Sequence, residues 1–225
     1  MKFSEILVSD IIESGRWRVE NFLSDRGSIS SHKGKTIPLG EIYEEISVGI
    51  DPAKLGSSPF IYLGLENVES VTGDLVGDIY RQPGEIKSRS KSFRKGDVLY
   101  GRLRPALRKA IAITDIDSGL CSTEFLVLRP KKQQINPLIL RALLASKEVG
   151  AALEKLQIGA ALPRVSPTDL LKIHVPLIAE HDQQELIKQL KTLALARAKA
   201  KAILASAGAS LEAALEATLS LSVRS

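Results

Sequence analysis

From about residue 180 the chain carries an uninterrupted helical pattern that runs almost to its end, and this stretch constrains the fold more than any other. One heptad position holds Leu186, Leu193, Ala200, Ala207, Ala214 and Leu221, and its companion holds Leu190, Arg197, Leu204 and Leu211. At about 1.5 Å per residue, a helix over 179–222 is a rod on the order of 60 Å, longer than one small domain can cover. An apolar seam of that length calls for a partner helix. The mid-seam alanines let an opposing backbone come close, while Leu204 and Leu211 fill the gaps. Arg197 and Gly208 are weak points: the arginine can snorkel, and the glycine costs roughly 1 kcal/mol of helix. A solvated single helix is the competing reading. The chain therefore divides into a globular part over 1–178, with an N-terminal arm over 1–36, and a spacer or dimerisation helix over 179–222.

Within the globular part, residues 93–105 (FRKGDVLYGRLRP) join a turn at Lys95 to Asp97, a buried strand at Val98 to Tyr100, and a loop bearing Arg102 and Arg104. Gly101 reads as the breaker that bends the backbone before those arginines. Between residues 81 and 109 stand Arg81, Lys87, Arg89, Lys91, Arg94, Lys95, Arg102, Arg104, Arg108 and Lys109, opposed only by Glu85 and Asp97. Such a density of positive charge suits a phosphate backbone, and arginine can fork onto a guanine edge. Lys87, Arg89, Lys91 and Arg94 are the expected phosphate contacts. Arg102 and Arg104 are the expected base readers, with Arg108 and Lys109 beside them. The alternative is a strand edge guarded against aggregation by charge.

Before and after that stretch the elements are short. Trp17, between two arginines, reads as a buried anchor for the arm. A strand is expected over 59–63, another over 110–114, and a long one over 121–128, which implies a curved sheet. Glu124, in that apolar run, is expected to form a structural ion pair with a basic residue. Cys121 reads as a packed small residue, since no histidine lies near it in sequence. Core helices are expected over 137–146 and 149–156, a turn over 159–164, a helix start at Ser166-Pro-Thr-Asp, and a short strand over 172–175.

Net charge is +5, too small by itself to mark a nucleic-acid binder, but the first eighty residues are acidic and the next thirty strongly basic. The single cysteine excludes an internal disulfide and a cysteine-rich zinc site, and fits a reducing cytoplasm. No apolar run is long enough to span a membrane. His32, His174 and His181 are too dispersed for a metal pair, and no phosphate-binding glycine loop, methyltransferase signature or Gly-x-Ser-x-Gly elbow occurs. No enzyme and no metal is expected. Aromatic residues make up only 4% of the chain, which supplies few stacking platforms for single strands and favours duplex DNA.

With these pieces in order, the chain resembles the DNA specificity subunit of type I restriction-modification systems, and more narrowly one half of such a subunit. Residues 93–105 look like the family's central strand and loop, and residues 119–130 (GLCSTEFLVLRP) like the strand after it. Gly159, Pro163, Arg164, Leu170, Ile173 and Pro176, with Gln183, Gln184 and Ile187, fit the passage from recognition domain to spacer helix. The segment PLIAE at 176–180 departs from the usual proline-rich version. The resemblance implies an α/β target recognition domain of mixed α+β type with a curved mixed sheet, followed by a long C-terminal coiled-coil helix. It implies a non-catalytic chain that binds double-stranded DNA alongside a methyltransferase subunit, with a restriction subunit as a further partner. S-adenosylmethionine would sit on the methyltransferase. The full family protein has two recognition domains and two antiparallel spacer helices, so a homodimer through Leu186, Leu190, Leu193, Ala200, Leu204, Ala207, Leu211 and Ala214 would restore the missing half and predicts an inverted-repeat site.

Two other readings stay open on residues alone. One is a coiled-coil scaffold whose head binds protein through its basic patch, which duplex DNA would fail to compete. The other is a detached recognition region of a fused restriction-methyltransferase enzyme, for which a solution monomer would speak.

Overall fold

The computed structural model describes residues 35–222 apart from Leu55, residues 132–134 and Ala160, with side chains as far as residue 216. The arm over 1–36, with Trp17, lies almost wholly outside the described residues, as do His32 and the Leu221 side chain. Along the chain run β1 (Thr36–Pro38), α1 (Leu39–Ile42), β2 (Tyr43–Glu45), β3 (Gly49–Ile50), β4 (Phe60–Leu63), β5 (Tyr80–Arg81), β6 (Ser90–Arg94), β7 (Val98–Gly101), β8 (Ala110–Ala112), β9 (Ser118–Ser122) and β10 (Phe125–Pro130). Then come α2 (Pro137–Leu144), α3 (Lys147–Lys155), α4 (Pro167–Lys172), β11 (His174–Pro176) and α5 (Glu180–Ser222).

Three layers follow from how β7 and β10 alternate. Val98, Tyr100, Leu126 and Leu128 point to a core shared with α2, α3 and α4, through Ile139, Leu140, Leu153 and Leu170. Leu99, Phe125 and Val127 point the other way, into a second core with Leu63, Phe93 and Cys121. The period of two thus buries both faces of these strands, so they read as apolar runs without polar interruption. The four-stranded sheet they form has the order β2-β10-β7-β8, and a five-stranded sheet, β3-β6-β9-β4-β5, covers its outer face. Pairing is antiparallel throughout the described strands except between β4 and β9, which makes the outer sheet mixed.

The expected long strand over 121–128 is two strands. Ser122 Oγ accepts the Glu124 N–H at 3.2 Å, closing a tight turn at Thr123 and Glu124 that carries the chain from the outer sheet to the inner one. Cys121 and Phe125 both stay buried in the inter-sheet core, which a single straight strand could not achieve. The corner at Lys95 and Gly96 makes the same transfer between β6 and β7; Gly96 has φ +92°, a conformation that favours glycine. Gly101 does more than break the strand: a Cβ there would sit 2.9 Å from Leu65 Cδ2, so glycine is needed for packing. The helix starts are where their caps put them. Asn136, Ser146 and Ser166 each accept a backbone N–H from the first turn of α2, α3 and α4.

The rod divides its seam. Leu190 is 7% exposed and belongs to the helix-side core, with Leu186 and Ile187 packed against it. These two leucines, expected on a partner helix, are used by the chain's own head, because the first turns of α5 must bury an apolar face where they cross α2. Beyond them the seam is open: Leu193 is 47%, Leu204 72% and Leu211 61% exposed, and Ala200, Ala207 and Ala214 are exposed as well. No helix among the described residues is long and apolar enough to cross a membrane.

Candidate nucleic-acid interface

The chain's path sorts the basic stretch into groups that its sequence runs together. In the outer sheet Ser90 pairs with Ser122 and Arg94 with Ser118. In the inner sheet Gly101 pairs with Phe125. The turn at Thr123 and Glu124 therefore lies beside both the start of β6 and the end of β7. Lys87 and Arg89 gather at this end with the loop from Arg102 to Lys109. Arg94 and Lys95 stand at the other end, about 13 Å away along β6, next to Asp115 and Asp117. The single footprint expected over 81–109 is thus split, and Arg94 does not share a surface with Arg104.

Lys91 leaves the set altogether. Its ammonium lies 2.6 Å from Glu45 Oε1 and donates to Phe125 O at 2.9 Å, and the residue is 8% exposed. Expected to grip phosphate, it instead ties the outer sheet to the inner one. The reason is parity: Lys91 stands two residues before Phe93 on β6, so both side chains enter the inter-sheet core. That signal was present in the sequence. At the opposite corner Asp97 is buried and accepts two bonds from Arg129, at 2.9 and 2.8 Å.

The loop after β7 is held on both sides. The Arg102 N–H donates to Glu124 O at 2.9 Å, its carbonyl accepts from the Val165 N–H at 3.0 Å, and the Arg104 N–H donates to Pro163 O at 2.8 Å. Arg104 and Arg108, flanking a 3₁₀ turn over Pro105–Leu107, have φ of +50° and +48°. Side chains other than glycine pay for that conformation, and it persists only where surrounding bonds impose it. Arg108 and Lys109 face inward: Arg108 donates to Ala145 O at the end of α2 at 3.3 Å, and Lys109 Nζ to Leu65 O at 2.7 Å. Arg102 is half-buried, and its Nε is buried without an acceptor in the described chain. Arg104 is exposed, as are Lys87 and Arg89, and Arg89 also reaches Gly49 O at 3.3 Å.

Glu124 does form an ion pair, with Arg164 at 2.6 Å, from the turn rather than from within a strand. The hydrogen bonds that Arg164 donates to Glu124 raise its guanidinium further above its ordinary range. Arg164 is thereby fixed beside Arg102 and Arg104, a position that its place sixty residues downstream does not advertise. Burial pushes the Cys121 thiol up to about 12, so the sulfur is a packing group. Among the described residues no cluster of histidine, cysteine and carboxylate side chains is placed to hold a metal ion. What this end of the molecule offers is a set of fork-shaped and point-charge donors, of which Arg102 and Arg104 stand on a backbone held by main-chain bonds.

No protein-family model matches the sequence. The chain is 30% identical over 115 residues to the specificity subunit of the type I restriction enzyme HindI of Haemophilus influenzae, a match to 51% of this chain and 24% of that protein. It is 24% identical over 190 residues to the EcoDI specificity subunit of Escherichia coli, covering 79% and 42%. Among solved structures, the HsdS subunit of Thermoanaerobacter tengcongensis superposes with a TM-score of 0.64 at 25% identity, over 80% of this chain and 47% of that one. A structure described for assembly and conformational transition of a type I restriction-modification system has the same TM-score at 24% identity. The chain spans less than half the length of these relatives. In sequence and in fold it is related to the specificity subunits of type I restriction enzymes.

Proposed function

We propose that this chain is a DNA-reading part of a type I restriction-modification system, which chooses where a partner methyltransferase acts and does no chemistry of its own. The observation that carries this reading is Arg104: an exposed arginine in a left-handed conformation, on a loop fixed by main-chain bonds to two other segments. A guanidinium carried on a fixed backbone suits bidentate contact with a guanine edge, where each correct contact is worth about 1–3 kcal/mol of discrimination. Arg102, whose buried Nε has no acceptor among the described residues, is the companion reader. Lys87 and Arg89 hold phosphates at the same end, and Arg94 meets the backbone only where duplex wraps toward the other corner. Arg108 and Lys109 support the loop and do not touch DNA.

Two copies associate through the open part of the rod, at Leu193, Ala200, Leu204, Ala207, Leu211 and Ala214, and present two readers to an inverted-repeat duplex. The methyltransferase brings S-adenosylmethionine, and a restriction subunit joins the same assembly. The test is selection from random duplex DNA by the full chain purified with its methyltransferase subunit. Enrichment of a two-part inverted repeat is the expected result. Recovery of unrelated sequences in the presence of that subunit would overturn the proposal.

A further inference from the structure

The rod touches the head a second time, well beyond its apolar docking. Arg197 Nη2 lies 3.0 Å from Asp74 Oδ1, and Lys201 Nζ lies 2.7 Å from Glu69 Oε2 and 3.1 Å from Asp74 Oδ2. Both carboxylates sit on one tight loop between the 3₁₀ turn at Leu65–Asn67 and β5. That loop is not relaxed. Val71, a β-branched residue, has φ +68°, and Gly73 has φ +69° where an added Cβ would run into Ala110 O. Three hydrogen bonds impose this shape: Arg141 of α2 donates to Val71 O at 3.2 Å and Thr72 O at 2.8 Å, and the Val71 N–H donates to Arg108 O at 3.2 Å. Arg108 ends the loop that presents Arg104. The acidic loop thus bonds the rod on one side and the reading loop on the other.

Ion pairs as solvent-accessible as these, from partly to largely exposed, add little to folding stability, so their consequence is directional. Leu186, Ile187 and Leu190 fix one point on the rod; Arg197 and Lys201 fix a second, about 10–16 Å further along. One point allows a pivot, whereas two define a line. From Leu190 to residue 216 the rod extends about 39 Å, so a pivot of about 10° moves that far point by about 7 Å. Seven ångströms is about two base-pair steps of duplex.

We infer that Glu69, Asp74, Arg197 and Lys201 form a clamp that sets the direction in which the rod leaves the head, and with it the number of base pairs between the two half-sites. These are positioning residues, and the inference rests on the recognition role proposed above.

The experiment uses the full chain with its methyltransferase subunit and a duplex library in which the selected half-sites are separated by every spacer length. The variant E69Q/D74N keeps shape and removes charge. It should retain the bases preferred in each half-site and accept spacers about two base pairs shorter and longer than wild type; the charge exchange D74R/R197D should narrow the choice again. An unchanged single spacer, or altered base preference at an unchanged spacer, would overturn the clamp.

A second measurement needs no DNA. Spin labels on Ser88→Cys and Ser206→Cys, with unlabelled chain in excess so that only intramolecular pairs are read, report the angle between head and rod. A distance distribution narrow in the parent and broad in E69Q/D74N supports the clamp even where the selection finds no preferred sequence. Equal widths would sink it while leaving the recognition role standing.

Discussion

Lys91 and Lys87 carry the same charge four residues apart, and truncating each should produce opposite failures. Lys91→Ala removes the partner of a Glu45 carboxylate whose side chain is only 8% exposed, and it strips a donor from the Phe125 carbonyl. Breaking a buried pair this way costs about 3–5 kcal/mol, because the surviving charge has neither water nor counter-ion. Against a domain stability of roughly 5–15 kcal/mol that is a large fraction. At about 2–4 °C per kcal/mol for a chain of this size, the melting temperature should fall by about 6–20 °C. Pairing the change with an apolar one, Lys91→Met with Glu45→Met, removes both desolvated charges and should recover most of the loss. Lys87→Ala touches only solvent. It should move stability by no more than about 0.5 kcal/mol, while lowering the salt slope of DNA binding by about 0.9. Thermal melts by circular dichroism and fluorescence anisotropy on a labelled duplex across a salt series read the two effects separately. A Lys91→Ala protein that melts with wild type but binds DNA more weakly would refute the reasoning, since it would return Lys91 to the DNA surface.

Arg104→Ala should relax preference at one base position, with about 1–3 kcal/mol of discrimination lost there, as read by selection on the full complex. Leu204→Glu with Leu211→Glu, at two exposed seam positions, should abolish self-association in sedimentation while leaving the melt of the head unchanged. The Cys121 thiol, pushed up to about 12 by burial, should resist alkylation at neutral pH until urea unfolds the chain, as mass spectrometry would show. Hydrogen bonds from Lys201 and Thr72 hold Glu69 below its ordinary value. Asp74 is lowered too: burial alone would raise it, but bonds from Arg197 and Lys201 outweigh that. Groups depressed in the folded state contribute fully above their ordinary values and lose that contribution as pH falls through the lowered ones. The spin-label distance between head and rod should therefore hold from neutral pH down to about pH 4 and broaden only below it.

Much of this fold is legible residue by residue. Ser166 marks a helix start because it can satisfy a first-turn N–H locally, whereas Ser146, which reads as the end of the helix over 137–146, in fact caps α3, and the seam from Leu186 to Leu211 announces the rod by spacing alone. The failures share one cause. Residues 121–128 look like one strand because a chain that changes sheets stays apolar on both sides of the change; only Ser122 and Glu124, a turn pair inside an apolar run, hint at the break. The basic stretch looks like one surface because charge density along a sequence says nothing about which strand end each residue occupies. Lys91 could have been separated by parity with Phe93. Its acceptor, forty-six residues upstream, could not, and neither could the bond from Arg197 to Asp74 across 123 positions.

The division of the rod bears on how tightly two copies would hold each other in the proposed dimer. With Leu186 and Leu190 committed to the head, an antiparallel pair has Leu193, Leu204 and Leu211 from each chain to bury, along with alanines that add close contact but little area. At roughly 1.5–3 kcal/mol per buried leucine the gain is of the same order as the roughly 4–15 kcal/mol that association costs. Rods alone would therefore give the proposed dimer only modest affinity. A duplex carrying both half-sites changes that balance, because it holds the two heads at a high effective concentration and makes rod pairing nearly intramolecular. The same linkage runs in reverse: rods that pair only at one angle favour duplexes whose half-sites stand at the matching distance. In the proposed assembly the spacing of the site would be read by its shape and the bases by Arg102 and Arg104, so the two kinds of information would come from separate residues.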